Sequence, residues 1–138
     1  MSKFYNEIAE KYDYIFPLSP AHQTFFASEL CGKTVLDVGA ATGNLTAYLL
    51  SQDYEVTAID LSERLIAEAA KKGIVVQPLN MLHIDQLAIF DNIVCIGNTL
   101  PHLDSKTSVQ LFLQKAYGQL TQKGKLILQI VNFQKYFA

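Results

Sequence analysis

Cysteine is scarce in this 138-residue sequence: Cys31 and Cys95 are the only two, too few for a disulfide framework in a chain of this size. Neither stands in a CxxC pair, and the three histidines, His22, His83 and His102, lack the spacing of metal ligands. Charge is sparse as well, at 17% of residues with a formal net charge of -2. No basic stripe is available to follow a phosphate backbone, so nucleic acid is set aside as the main partner. The Lys71-Lys72 pair falls at an expected helix end, where cations suit the helix dipole. No apolar run approaches the length of a membrane span, and Met1–Glu7 has no apolar signal core. The expectation is a protein with no membrane contact, in a reducing cytoplasm.

What is present is a globular composition, half of it apolar, enough for one hydrophobic core. The chain reads as a single domain over 1–138, with a helical cap at 1–31 and an α/β core at 32–138. Phe4, Ile8, Tyr12 and Ile15 recur at helical spacing, and Ser19-Pro20 opens a second helix that runs to about Leu30. Two N-terminal helices are therefore expected before any strand. The pattern then changes to short apolar runs, each followed by a helical stretch. The expected strands are 34–38, 54–59, 74–76, 92–96 and 126–131, with a helix from Ser105 that buries Val109, Phe112, Ala116 and Leu120. Residues 78–89 read as loop with a helical turn. This alternation predicts a doubly wound, mostly parallel five-stranded sheet in Rossmann-like α/β layers, joined by right-handed crossovers.

Ligands of such sheets lie beyond the C-terminal strand ends, and three of those ends carry candidate groups. After the first strand comes Asp37-Val38-Gly39-Ala40-Ala41-Thr42-Gly43. Gly39 and Gly43 permit backbone angles and close approach that a side chain hinders, and Ala41 between them is nearly as small. A dinucleotide turn of the form G-x-G-x-x-G would place its last glycine at Asn44, which weakens a nicotinamide reading. Asp37 is placed to order this loop by accepting backbone hydrogen bonds; the plain alternative is an ordinary tight strand–helix turn. Asp60 ends the second strand, where a carboxylate suits the two hydroxyls of a ribose; the alternative is a cap for the helix that starts near Ser62. After the fourth strand, Asn98, Thr99 and His102 are candidates to face a ligand, or to cap a loop and fill a core.

In this order the segments resemble the motifs of class I S-adenosylmethionine (SAM) dependent methyltransferases. Val35–Gly43 is similar to the family's LDxGxGxG turn, Asp60-Leu61-Ser62 to its acidic motif, and Phe90–Val94 to the opening of its fourth strand. Tyr5–Asp13 resembles the lead-in helix of small-molecule members, whose tyrosines, here Tyr12, cover the cofactor. The resemblance implies the strand order 3-2-1-4-5. It also implies that Gly39, with its neighbours Ala41 and Gly43, packs on the methionine part of SAM, and that Asp37 touches its ammonium directly or through water. Asp60 would hold the ribose and Leu61 would pack on the adenine. Asn80, with Met81 beside it, stands where the family often has an aspartate for the adenine amino group. Ile96 and Gly97 would flank the cofactor at the end of strand four.

Two departures from the family pattern follow. Ala41 replaces the second motif glycine, and the sequence carries five strands where the family has seven, so a shortened form is expected and the activity of this chain alone stays open. The fifth strand, with Leu126, Ile127, Leu128, Ile130 and Val131, would present an apolar edge, which a second copy, another partner or the N-terminal helices are expected to cover.

Methyl transfer is an in-line displacement in which the cofactor brings the reactivity and the protein aligns the acceptor and excludes water. No strong catalytic residue is required. If the acceptor must lose a proton, His102 is the candidate base, its pKa being suited to neutrality. Asn98-Thr99-Leu100-Pro101 matches only part of the Asn/Asp-Pro-Pro-aromatic motif of nucleic-acid amino methyltransferases, and a small-molecule acceptor is favoured. The reading is a SAM-dependent methyltransferase; the alternatives are a SAM-binding regulatory or interaction module without activity, and an NAD-linked oxidoreductase.

Overall fold

A computed structural model of the chain describes residues 8–15, 17–96, 103 and 105–129. A 3-10 turn, Ala9–Lys11, leads into α1 (Tyr12–Ile15), and α2 spans Pro20–Glu29. The core follows as β1 (Thr34–Val38), α3 (Asn44–Ser51), β2 (Glu55–Asp60), α4 (Glu63–Lys71), β3 (Gln77–Pro78), a 3-10 helix (Met81–Gln86), β4 (Phe90–Cys95), α5 (Lys106–Gly118) and β5 (Leu120–Leu128). The five strands form one sheet in the order β3-β2-β1-β4-β5, with every pairing parallel. No helix among the described residues is long and apolar enough to cross a membrane.

The two-residue alternation of a strand sorts the apolar side chains between the faces. Leu36, Val38, Ile93 and Cys95 join Phe112 and Ala116 of α5 and Ile84 of the 3-10 helix in one cluster. Val35 and Val94 instead meet Phe26 of α2 and Leu45 and Leu49 of α3. Covered on both faces, β1 and β4 send apolar side chains to each face in turn, and their polar residues, Thr34, Asp37, Asp91 and Asn92, are hydrogen-bonded within the chain.

Two polar side chains fix where β1 begins. Asn92, fully buried in β4, accepts from the Cys31 amide (3.0 Å) and donates to the carbonyls of Cys31 (2.6 Å) and Thr34 (3.1 Å). Asp91 accepts from the amides of Lys33 (2.7 Å) and Thr34 (3.2 Å). These backbone hydrogen bonds hold the Asp91 carboxyl below its ordinary value. The Phe-Asp opening of β4 thus anchors the sheet at the end away from the strand C-termini.

Three elements differ from expectation. The described part of the first helix is a 3-10 turn followed by only four helical residues, so the N-terminal pair is one short piece and one true helix. The third strand pairs at Gln77–Pro78 instead of 74–76, because Ile74 and Val76 turn inward against Ala40, Ala58 and Ala69 before the chain reaches the sheet. The fifth strand starts at Leu120, opposite Phe90, and resumes at Lys125, opposite Asn92, with an irregularity between. Lys123-Gly124 therefore lies within a bulge of β5 and does not precede the strand. Ile127 packs with the α2 cluster, and Lys125 donates to the Glu29 carbonyl (2.9 Å), so α2 covers one face of β5. Ile130 and Val131 lie outside the described residues.

Candidate functional site at the C-terminal ends of β1 and β2

The glycine turn takes the left-handed conformation at every second residue: φ is +73° at Gly39, +55° at Ala41 and +82° at Gly43. Only glycine adopts this region without steric cost. Ala41 bears that cost, held by its surroundings. Gly43 has a packing reason in addition: a Cβ there would lie 2.6 Å from Cγ2 of Ile74.

Four of the turn's amides are engaged within the chain. Gly39 and Ala40 both donate to the Ile59 carbonyl at 2.9 Å, Ala41 donates to Asp60 Oδ2 at 2.8 Å, and Gly43 donates to the Ala40 carbonyl at 2.9 Å. A pyrophosphate cradle needs such amides free, and these four are not available to one. Ordering of the turn, which the sequence reading gave to Asp37, is done by Asp60, whose other oxygen accepts from the Ser62 amide at 2.8 Å. Both readings of Asp60 meet here: it supports the start of α4, and it stands half-buried at the strand end. Ser62 itself caps α4 through the Leu65 amide.

Asp37 points into α3 instead. It is buried, and its carboxylate accepts from Thr46 Oγ1 at 2.7 Å. Burial raises its pKa, the Thr46 hydrogen bond opposes that, and the charge of Asp60 adds to it; together they push the carboxyl up to about 6. Thr46 was not singled out from sequence; its only signal there is a hydroxyl between Leu45 and Leu49 on the buried face of α3.

Beyond Asp60, Leu61 is 57% exposed, an apolar side chain in solvent beside a carboxylate. Asn80 begins the 3-10 helix and its Oδ1 accepts from the Leu82 amide at 2.8 Å. Met81 is buried in the main core, so its side chain packs inward. Ile96, just past β4, packs against the α2 and α3 cluster. Gly97, Asn98, Thr99 and His102 lie outside the described residues.

A second group of side chains also escaped sequence reasoning. Asp13 accepts from Thr42 Oγ1, from Asn44 Nδ2 (2.9 Å) and from Lys72 Nζ (2.7 Å), and Lys72 also donates to Asn44 Oδ1 (2.8 Å). Burial alone would raise the Asp13 carboxyl, but these hydrogen bonds outweigh it and hold it below its ordinary value. Beside it, Ala9 and Tyr12 pack on Ala41 and Leu65. The N-terminal segment therefore lies directly on the glycine turn.

Residues 36–126, about two thirds of the chain, match the sequence profile of a family described as Methyltransferase domain. The chain belongs to that methyltransferase family. It is 28% identical to a putative methyltransferase of Geobacillus sp. (strain WCH70), a match covering 91% of this chain and 57% of that protein. It is 26% identical to a glycine/sarcosine/dimethylglycine N-methyltransferase of Actinopolyspora halophila, covering 96% of this chain but 26% of that one. Among solved structures, a S-adenosylmethionine-dependent methyltransferase from Clostridium acetobutylicum superposes with a TM-score of 0.77 at 23% identity, over 96% of this chain and 59% of its own. Thus the methyltransferase domain spans about half the length, or less, of the curated relatives it matches. The shared architecture is the five-stranded 3-2-1-4-5 sheet, and the glycine turn and Asp60 sit at its C-terminal edge.

Proposed function

We propose that this methyltransferase domain binds SAM at the C-terminal ends of β1 and β2 and transfers its methyl group to a small-molecule acceptor. One observation carries the reading. Four of the turn's amides, those of Gly39, Ala40, Ala41 and Gly43, are spent on the chain's own oxygens, while two carboxylates, Asp37 and Asp60, stand at the ends of neighbouring strands. Such a site disfavours a phosphate-bearing ligand and favours one with a positive charge and a pair of hydroxyls. SAM has both.

Asp37 would meet the ammonium, and that charge would offset the burial that now disfavours its ionised form. Asp60 would accept from the ribose hydroxyls through lone pairs left by Ala41 and Ser62. Leu61 would cover the adenine, Asn80 would bond its amino group, and Tyr12 would close the site from the N-terminal side. Gly39, Ala41 and Gly43 would bring the backbone close to the methionine part, and Ile96, with Gly97 after it in sequence, would border it. SAM supplies an electrophilic methyl group, so the chain's part is to bind, orient and exclude water. His102 is the proposed base where the acceptor must lose a proton.

A small-molecule acceptor is supported by the sparse charge of the chain and by the acceptors named for relatives such as the glycine/sarcosine N-methyltransferases. Chain 1–138 would act as one domain in the cytoplasm, its β5 edge paired with a second copy or another partner segment. The test is transfer of labelled methyl from SAM to a panel of small amines, hydroxy compounds and amino sugars. Label in none of them, from protein that binds SAM, would contradict the transfer.

A further inference from the structure

We propose that residues 8–15 form a strap over the glycine turn and that Asp13 is the positioning residue that pins it, setting how long a bound cofactor is retained. This rests on the SAM reading of the site.

A 3-10 turn of three residues followed by a four-residue helix has no stability of its own. Tertiary contacts must hold it. Ala9, 3% exposed, and Tyr12 supply the apolar contact, on the methyl of Ala41 and on Leu65. Glu10 and Arg64 approach to 3.9 Å, but both are largely exposed, and such a pair contributes little. Asp13 is different in kind. Its two oxygens take three donors: Thr42 of the glycine turn, Asn44 at the start of α3, and Lys72 at the C-terminal cap of α4. Lys72 closes the ring by donating to Asn44. Charge-assisted hydrogen bonds with several partners hold a geometry that a lone surface pair does not.

The strap is also coupled to the cofactor residues through one shared position. Ala41 presents its methyl to Ala9 and its amide to Asp60. Its left-handed backbone is a strained one for alanine, and both contacts hold it. Lifting the strap would uncover Ala41 and loosen the turn that Asp60 grips, so strap opening and cofactor release are one event. Loss of the pin would raise the dissociation rate more than it lowers overall stability, because the core clusters under α5 and α2 do not include it.

The experiment uses the whole chain and S-adenosylhomocysteine. Wild type, Asp13→Ala, Lys72→Met and Glu10→Gln are compared for dissociation rate, for melting temperature without ligand, and for amide exchange in residues 8–15 with and without ligand. Expected are dissociation about tenfold faster for Asp13→Ala and about threefold faster for Lys72→Met, with Glu10→Gln unchanged. Ligand should slow amide exchange of the strap in wild type and fail to do so in Asp13→Ala. Asp13→Glu should recover part of the retention. Rates within twofold of wild type in both pin variants would overturn the strap while leaving the SAM site standing. If Asp13→Ala does not fold, Lys72→Met, at an exposed helix cap, decides alone. Absence of S-adenosylhomocysteine binding by wild type would bring down the site reading and the strap together.

Discussion

At the residue scale, Asp37 and Gly43 have opposite relations to stability. The Asp37 carboxyl has an ordinary value of 3.8 and a folded value of about 6. The contribution of this group is therefore fully present below pH 3.8 and is lost as pH rises through 6. Ionised Asp37 weakens the ligand-free protein at neutral pH, on the order of 3 kcal/mol. Asp37→Asn should raise the melting temperature above pH 6 and change it little near pH 4, while weakening cofactor binding. The same linkage makes wild-type affinity for a ligand with an ammonium fall below pH 6, by up to about tenfold per pH unit. Thermal melts and calorimetry across pH 4 to 8 check both; a destabilised Asp37→Asn at pH 8 would mean the carboxylate is compensated in the free protein. Gly43→Ala should cost about 2–4 kcal/mol, from the left-handed backbone and the contact with Ile74. Placing it in an Ile74→Ala background should leave only the backbone part, about 1–2 kcal/mol, when each pair is compared by chemical denaturation. The glycines, Asp37 and Asp60 were legible in sequence because their spacing follows one strand–turn–helix unit. Thr46 and Asp13 were not. Thr46 matters only because helix α3 turns it toward a buried acid, and Lys72 reaches Asp13 across 59 positions of sequence.

At the scale of elements, the central strands β1, β2 and β4 lie within two residues of their expected bounds, since each holds a short buried apolar run, Val35-Leu36, Ala58-Ile59 and Ile93-Val94-Cys95. The edges do not. Ile74-Val75-Val76 has the composition of a strand, yet only the next two residues pair, and Val75 is 81% exposed. The start of β5 is Leu-Thr-Gln-Lys-Gly, polar enough to read as a turn, and only its pairing with Phe90 reveals it. Side-chain anchors stand in for strand length here. Asn92→Leu keeps the branching and the number of side-chain heavy atoms but leaves the Cys31 amide and two carbonyls without their partner. A loss of about 2–4 kcal/mol in denaturant unfolding is expected; a neutral substitution would mean that the segment before β1 finds other partners.

At the scale of the whole molecule, the alternation of strands and helices made the doubly wound sheet legible, and the order 3-2-1-4-5 followed from the family likeness of four short motifs. Alternation alone leaves several orders open; what selects one is which faces are apolar on both sides, a property of packing that no single segment displays. The sheet then brings a buried acid, a half-buried acid and an exposed leucine to one edge, under an N-terminal strap pinned by Asp13. The central claim is that this edge is a SAM site. Titration calorimetry of the whole chain with S-adenosylhomocysteine, with NAD in a parallel cell, tests it most directly. Saturable binding of S-adenosylhomocysteine, weakened in Asp60→Ala and absent for NAD, is the predicted result; binding of NAD, or no heat from S-adenosylhomocysteine, would contradict it.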